Sequence, residues 1–172
     1  MVSILEVLQK VFERANEEIA KMEKGELKKV LEEFSTSDFP LDAYTDPHSL
    51  GKDFALWYGL FYKSRKNNST ILEEVLKEVY GTTSKDVRVI TSSFSIRGLQ
   101  KVDDKYYVKL YNTKGEYVVR VKEEVWEEAK KVKNTHTVKC HILSYDGENY
   151  MIGIVEFVGI VDRYGLLSPS FM

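Results

Sequence analysis

Up to residue 81 the apolar positions recur at helical spacing; from residue 87 they alternate. Leu5, Leu8, Phe12, Ala15, Ile19 and Met22 follow one another by threes and fours, the a/d pattern of three heptads. Ser3 and Glu6 form an S-x-x-E capping box in front of them. Gly25 then interrupts, and the apolar phase moves to Leu27, Val30, Leu31 and Phe34, which predicts two helical pieces or one helix bent at Gly25. The stretch 35–49 is dense in turn formers, and Asp46-Pro47 supplies an N-cap and a first helical residue. Leu50, Phe54, Leu56, Trp57, Leu60 and Phe61 make a thick apolar stripe, which 64–68 ends. Tyr58 and Tyr62 lie beside that stripe and read as core rather than as a ligand box. Thr70 and Glu73 open a further helix, lined by Ile71, Val75, Leu76 and Val79, and Gly81 stands at its stop. Asn68-Ser69-Thr70 matches a glycosylation sequon, but capping by Thr70 accounts for it.

The period changes at 82–86. "VRVITSSFSIRG" (87–98) is rich in β-branched and aromatic residues and predicts a long strand, with a slip of apolar phase near Ile90 that predicts a bulge or bend there. "KYYVKLY" and "GEYVVRVK" predict a hairpin across "NTKG", with Gly115 at a left-handed turn position. "EEVWEEAKKVKN" (123–134) returns to helical period, with Val125, Ala129 and Val132 aligned. A closing hairpin turns at Asp146-Gly147. The fold class expected is therefore α+β: a helical region of three to four helices over 1–82, a β unit over 86–160 and a tail over 161–172.

The order strand, strand, strand, helix, strand, strand resembles the OB-fold over residues 87–160, by element order and without a signature motif. That resemblance implies an antiparallel five-stranded barrel whose second and third strands and neighbouring loops carry the ligand face. A doubly wound α/β fold does not match this order.

With 43% hydrophobic residues, the 172-residue chain has enough apolar material for a core, so wholesale disorder is not expected. The net charge of −2 lacks the overall basic footprint of many nucleic-acid binders. The charge is uneven, however. Residues 1–84 carry 11 Lys+Arg against 15 Asp+Glu, whereas residues 85–172 carry 14 against 12, which permits an anionic partner for the β half. The lone Cys140 rules out an intrachain disulfide. No apolar run reaches the roughly 20 residues of a membrane span, and the amphipathic, acidic N-terminus reads as a mature helix, so a cytoplasmic protein is expected. Abundant Lys and Glu with two Gln resemble hyperthermophile composition.

Catalytic signatures are missing: there is no Walker loop, GxGxxG, GxSxG, HExxH or CxxC pair. His136 and Cys140 share one strand face and His141 takes the other, so three ligands to one zinc would need a sharp bulge. Asp103 and Asp104 precede a strand, and the helix macrodipole alone explains Glu123-Glu124. No E-x-K doublet ends the "GEYVVRVK" strand, as a two-metal nuclease would want. Neither cofactor, metal nor catalysis is expected.

The hairpin holds the sharpest candidate. With Tyr106, Val108 and Leu110 inward, Tyr107, Lys109 and Tyr111 share the outer face; with Tyr117, Val119 and Val121 inward, Val118, Arg120 and Lys122 point out. Lys101, Lys105 and Lys114 stand near enough to meet phosphates. Aromatic platforms interleaved with cations suit single-stranded DNA or RNA, with Tyr107 and Tyr111 stacking on bases while Lys109, Arg120 and Lys122 neutralise phosphate. A solvated amphipathic hairpin, or one covered by the helical region, is the plainer reading of the same residues. The alternative function is a protein-interaction or assembly module, in which Leu5, Leu8, Phe12, Ala15, Ile19 and Met22 mediate a homodimer or dock a partner as a short coiled coil.

Overall fold

A computed structural model describes residues 3–37, 44–63, 68–81, 87–133 and 137–157. The turn-rich 38–43, the helix stop at 64–67, the switch at 82–86, His136 and the tail 161–172 lie outside the described residues. The fold is α+β: among the described residues, four helices, then strands with a fifth helix among them. Contacts divide the chain into a helical unit and a sheet unit.

In the helical unit, α1 (Ile4–Lys21) starts where the Ser3 hydroxyl accepts the Glu6 N–H at 3.3 Å. It ends because Met22 turns extended, at φ −68° and ψ 141°. α2 (Lys24–Ser37) begins two residues on, so the interruption falls at Met22-Glu23. Gly25, expected to mark it, is an exposed residue inside the first turn of α2. Asp46 caps α3 (Pro47–Phe61) by accepting the Ser49 N–H at 2.7 Å. α3 is buried without a break from Asp53 to Leu60, as its nearly all-round apolar surface requires, and it packs against α1, α2 and α4. Gly59 lets α1 approach: a Cβ there would stand 2.7 Å from Val11 Cγ1. Phe34, Phe54 and Trp57 form an aromatic core with ring centroids 5.3–6.1 Å apart. Tyr58 stacks on Tyr62 at 4.9 Å. The Thr70–Glu73 capping box is formed on α4 (Ile71–Tyr80), and Gly81 closes it at φ +76°. An ion pair of 2.6 Å joins Arg14 of α1 to Glu78 of α4.

The sheet unit contains β1 (Val87–Val102), β2 (Lys105–Asn112), β3 (Gly115–Val121), α5 (Glu123–Val132), β4 (Thr137–Tyr145), β5 (Glu148–Tyr150) and β6 (Ile154–Phe157). β1 pairs antiparallel with β4 through Val87–Phe94 and with β2 through Ser95–Val102, so one long strand serves two partners. β2 pairs with β3, β3 with β5 and β5 with β4, which makes a ring of hydrogen-bonded strands. Among the described residues the β3–β5 link is the thinnest and the one parallel pairing: Arg120 opposite Tyr150, with the Met151 N–H donating to the Arg120 carbonyl at 3.1 Å. β6 continues along the other half of β4. Between the pairs Leu143–Tyr150 and Cys140–Ile154, three steps of β4 answer four of its partner, so an extra residue splits the final strand in two.

The bulge in β1 lies at Arg97, between the pairs Ile96–Leu110 and Gly98–Lys109, not near Ile90 as the apolar phase predicts. The pairing of β1 with β4 runs unbroken through Ile90. The phase misleads because Val87 and Val89 stand opposite Tyr145 and Leu143, and this part of the sheet is apolar on both faces. Buried Asn112 braces the change of partner, its amide donating to Ser92 Oγ at 3.2 Å and to the Ser93 carbonyl at 3.3 Å. The core inside the ring holds Phe94, Ile96, Val108, Leu110, Val119, Val121, Val138, Cys140, Ile142, Met151 and Ile154. α5 adds Val125, Ala129 and Val132. No described helix is long and apolar enough to cross a membrane.

Candidate nucleic-acid interface

Alternation along three strands builds the candidate face. Val108 and Leu110 of β2, with Val119 and Val121 of β3, are at most 2% exposed, and Tyr106 and Tyr117 pack against the same core. The intervening residues must then face out. Register sets them in rows across β1, β2 and β3: Gln100, Tyr107 and Arg120; Gly98, Lys109 and Val118; Ser95, Tyr111 and Glu116. Tyr111 is 36% and Val118 47% exposed, and Lys109 is exposed. Tyr107 and Arg120 are half-buried. Lys105, opposite exposed Val102, extends the face at one end.

The two-residue turn Asp103-Asp104, with φ of +47° and +66°, joins β1 to β2 and fixes this register. Gly115, at φ +140°, closes the β2–β3 turn. Lys114 is exposed in that turn, beyond Tyr111, and its N–H donates to Asn112 Oδ1 at 2.9 Å. Lys122 has left the sheet. It is the N-cap of α5, half-buried, and does not join the rows of the hairpin. Lys101 belongs to the inward register: its Nζ lies 5.4 Å from the ring of Tyr106, whose hydroxyl donates to Glu123 at 2.7 Å. The structure thus brings together Tyr107, Lys109, Tyr111, Arg120 and Lys105, sets Lys114 at the edge and separates Lys122.

The pattern of the hairpin does not include Arg97, which belongs to β1. It follows inward Ile96 onto the outer face and, as the bulged residue, escapes the pairing, its guanidinium carbon 4.1 Å from the centroid of the Tyr111 ring and its Nη1 3.1 Å from Glu116 Oε1. The signal in the sequence is Gly98, since a glycine inside a strand often marks a bulge. Gly98 also makes room for the Lys109 side chain, whose Cδ would meet a Cβ there at 3.4 Å. Gln100 and Glu116 complete the face.

The outer side of the β1–β4 half differs. Lys139 stands opposite Ser93 and His141 opposite Thr91, and Lys139 and His141 are buried. Thr91 Oγ1 and His141 Nδ1 are 2.7 Å apart. Burial pushes the Lys139 ammonium down to about 7. Cys140 points into the core, away from His141. No group of three or more His, Cys, Asp or Glu among the described residues is placed to hold a metal.

The residues proposed for an oligomer interface have other surroundings. Leu5, Leu8 and Ala15 are buried, while Phe12, Ile19 and Met22 are half-buried. α1 packs against α3 and α4, so much of its heptad face is spent inside the helical unit.

Comparison of the chain with protein-family models, with curated proteins and with solved structures found no match.

Proposed function

We propose that this protein binds single-stranded nucleic acid on the outer face of β1, β2 and β3, as a non-enzymatic accessory factor whose sheet unit acts as an OB-like barrel in the cytoplasm. One observation carries this reading: Tyr107, Lys109, Tyr111, Arg120 and Lys105 share one outer face of adjacent strands, with Lys105, Lys109 and Tyr111 exposed and Tyr107 and Arg120 half-buried. Tyr107 and Tyr111 are four residues apart on one strand, about 13 Å, and so offer two separate stacking sites. Lys105, Lys109 and Arg120 flank them and meet the backbone. Stacking accepts any base, and phosphate contact carries no sequence information, so binding of low sequence selectivity is expected. Duplex DNA hides its base faces and should bind more weakly than either single strand.

The test uses labelled single-stranded DNA and RNA at low salt with the full chain. Tyr107→Ala and Tyr111→Ala should each weaken binding by about 1–3 kcal/mol per stacked base lost. Unaltered affinity in the double variant would show that the strand binds elsewhere. Lack of binding by the wild type would end the proposal.

A further inference from the structure

Tyr111 is exposed, yet one face of its ring is occupied. The Arg97 guanidinium lies 4.1 Å from its centroid, close to van der Waals contact, so nothing else can stack there while Arg97 stays. Glu116 holds Arg97 in place through the 3.1 Å ion pair, and it lies in the same row as Tyr111. Arg97 follows inward Ile96 onto the outer face, and the β1 bulge leaves it outside the pairing, so that Gly98 rather than Arg97 stands opposite Lys109.

We infer that Arg97 and Glu116 form an intramolecular latch on the Tyr111 platform. Arg97 stands where a base stacks, and Glu116 stands in for a phosphate. A single strand engages Tyr111 by exchange: the base displaces the guanidinium, and Arg97 trades the Glu116 carboxylate for a backbone phosphate. Both are charge-assisted contacts of the same kind, so the exchange is nearly balanced and readily tuned. Glu116 therefore sets the affinity of the face without touching the strand. The latch rests on the single-strand reading above.

The consequence is a coupling between two exposed residues, with side chains 56% and 54% accessible, whose replacement should leave the fold intact. Exposed ion pairs are weak, so Glu116→Gln should tighten binding of a labelled single-stranded oligonucleotide roughly two- to fivefold. It should also steepen the plot of log K against log salt by about 0.7, because Arg97 then reaches a phosphate without Glu116 taking up a cation in exchange. Removing a negative charge tightens binding through the general field too, so the deciding measurement is a double-mutant cycle. In an Arg97→Ala background, Glu116→Gln should lose most of its effect. Wild-type binding that Tyr107→Ala and Tyr111→Ala weaken, with Glu116→Gln acting equally in both backgrounds, overturns the latch and leaves the single-strand reading standing. Absence of binding by both wild type and Glu116→Gln at low salt overturns both.

Discussion

Lys139 shows how far one residue can depart from what its type implies. In a strand pattern it reads as an outward, solvated lysine; in the fold it is wholly buried, and its ammonium is pushed down to about 7. An unfolded lysine keeps its proton to about pH 10.4. Between those values the unfolded chain binds more protons than the fold, so this residue makes stability rise with pH, by at most about 1.4 kcal/mol per unit. Below pH 7 both states are protonated and the burial penalty is fully present. Chemical denaturation of wild type and Lys139→Met from pH 6 to 10 should show the wild type gaining on the variant between pH 7 and 10. A constant difference across that range would mean that Lys139 titrates normally. At this scale the hairpin was legible, because Tyr106 and Tyr107 are separated by alternation alone. Lys139 and Arg97 were not, since burial of an outer face and a bulge both depend on residues distant in sequence.

Helices and strands were legible where local chemistry decides them. The caps at Ser3, Asp46 and Thr70, the stop at Gly81 and the turn at Asp146-Gly147 all need only neighbouring residues. Two glycines of α3 separate local from tertiary effects. Gly51 is exposed with nothing within 4 Å of an added Cβ, so Gly51→Ala should stabilise by about 0.5–1 kcal/mol through helix propensity. Gly59→Ala gains the same propensity, but its Cβ would meet Val11 Cγ1 at 2.7 Å and the Val11 carbonyl at 3.3 Å. Overpacking costs about 1–3 kcal/mol, so the net change should be a loss of about 1 kcal/mol. Denaturation midpoints that move in opposite directions for the two variants would establish the close α1–α3 approach; a shift upward in both would refute it. The break between α1 and α2 was misplaced at Gly25 because propensity ranks glycine as the weak point. Met22 breaks the helix instead by turning extended, in a segment with no Gly or Pro to mark it.

For the molecule as a whole, the net charge of −2 gives no long-range attraction to nucleic acid, so any binding must draw on the local face. Besides Arg97, which exchanges one anionic partner for another, Lys105, Lys109 and Arg120 predict a slope of about −2 for log K against log salt with single strands. A slope near −5 would require more phosphate contacts than this face supplies and would place the strand elsewhere. The architecture is a matter of partners more than of elements. β1 divides its length between β4 and β2, and the ring closes through the short β3–β5 pairing.

Element order apart from the split of the final strand, the caps, the hairpin turns and the inward and outward registers of β2 and β3 were determined by the sequence alone. Each follows from sterics and periodicity over a few residues. Only the tertiary structure decided where β1 bulges, which residues share a row and that Lys139 is buried. It alone also set Arg97 over Tyr111, within reach of Glu116. Those facts arise from pairing between segments far apart in the chain, where a single extra residue in one strand moves a side chain from one neighbour to another.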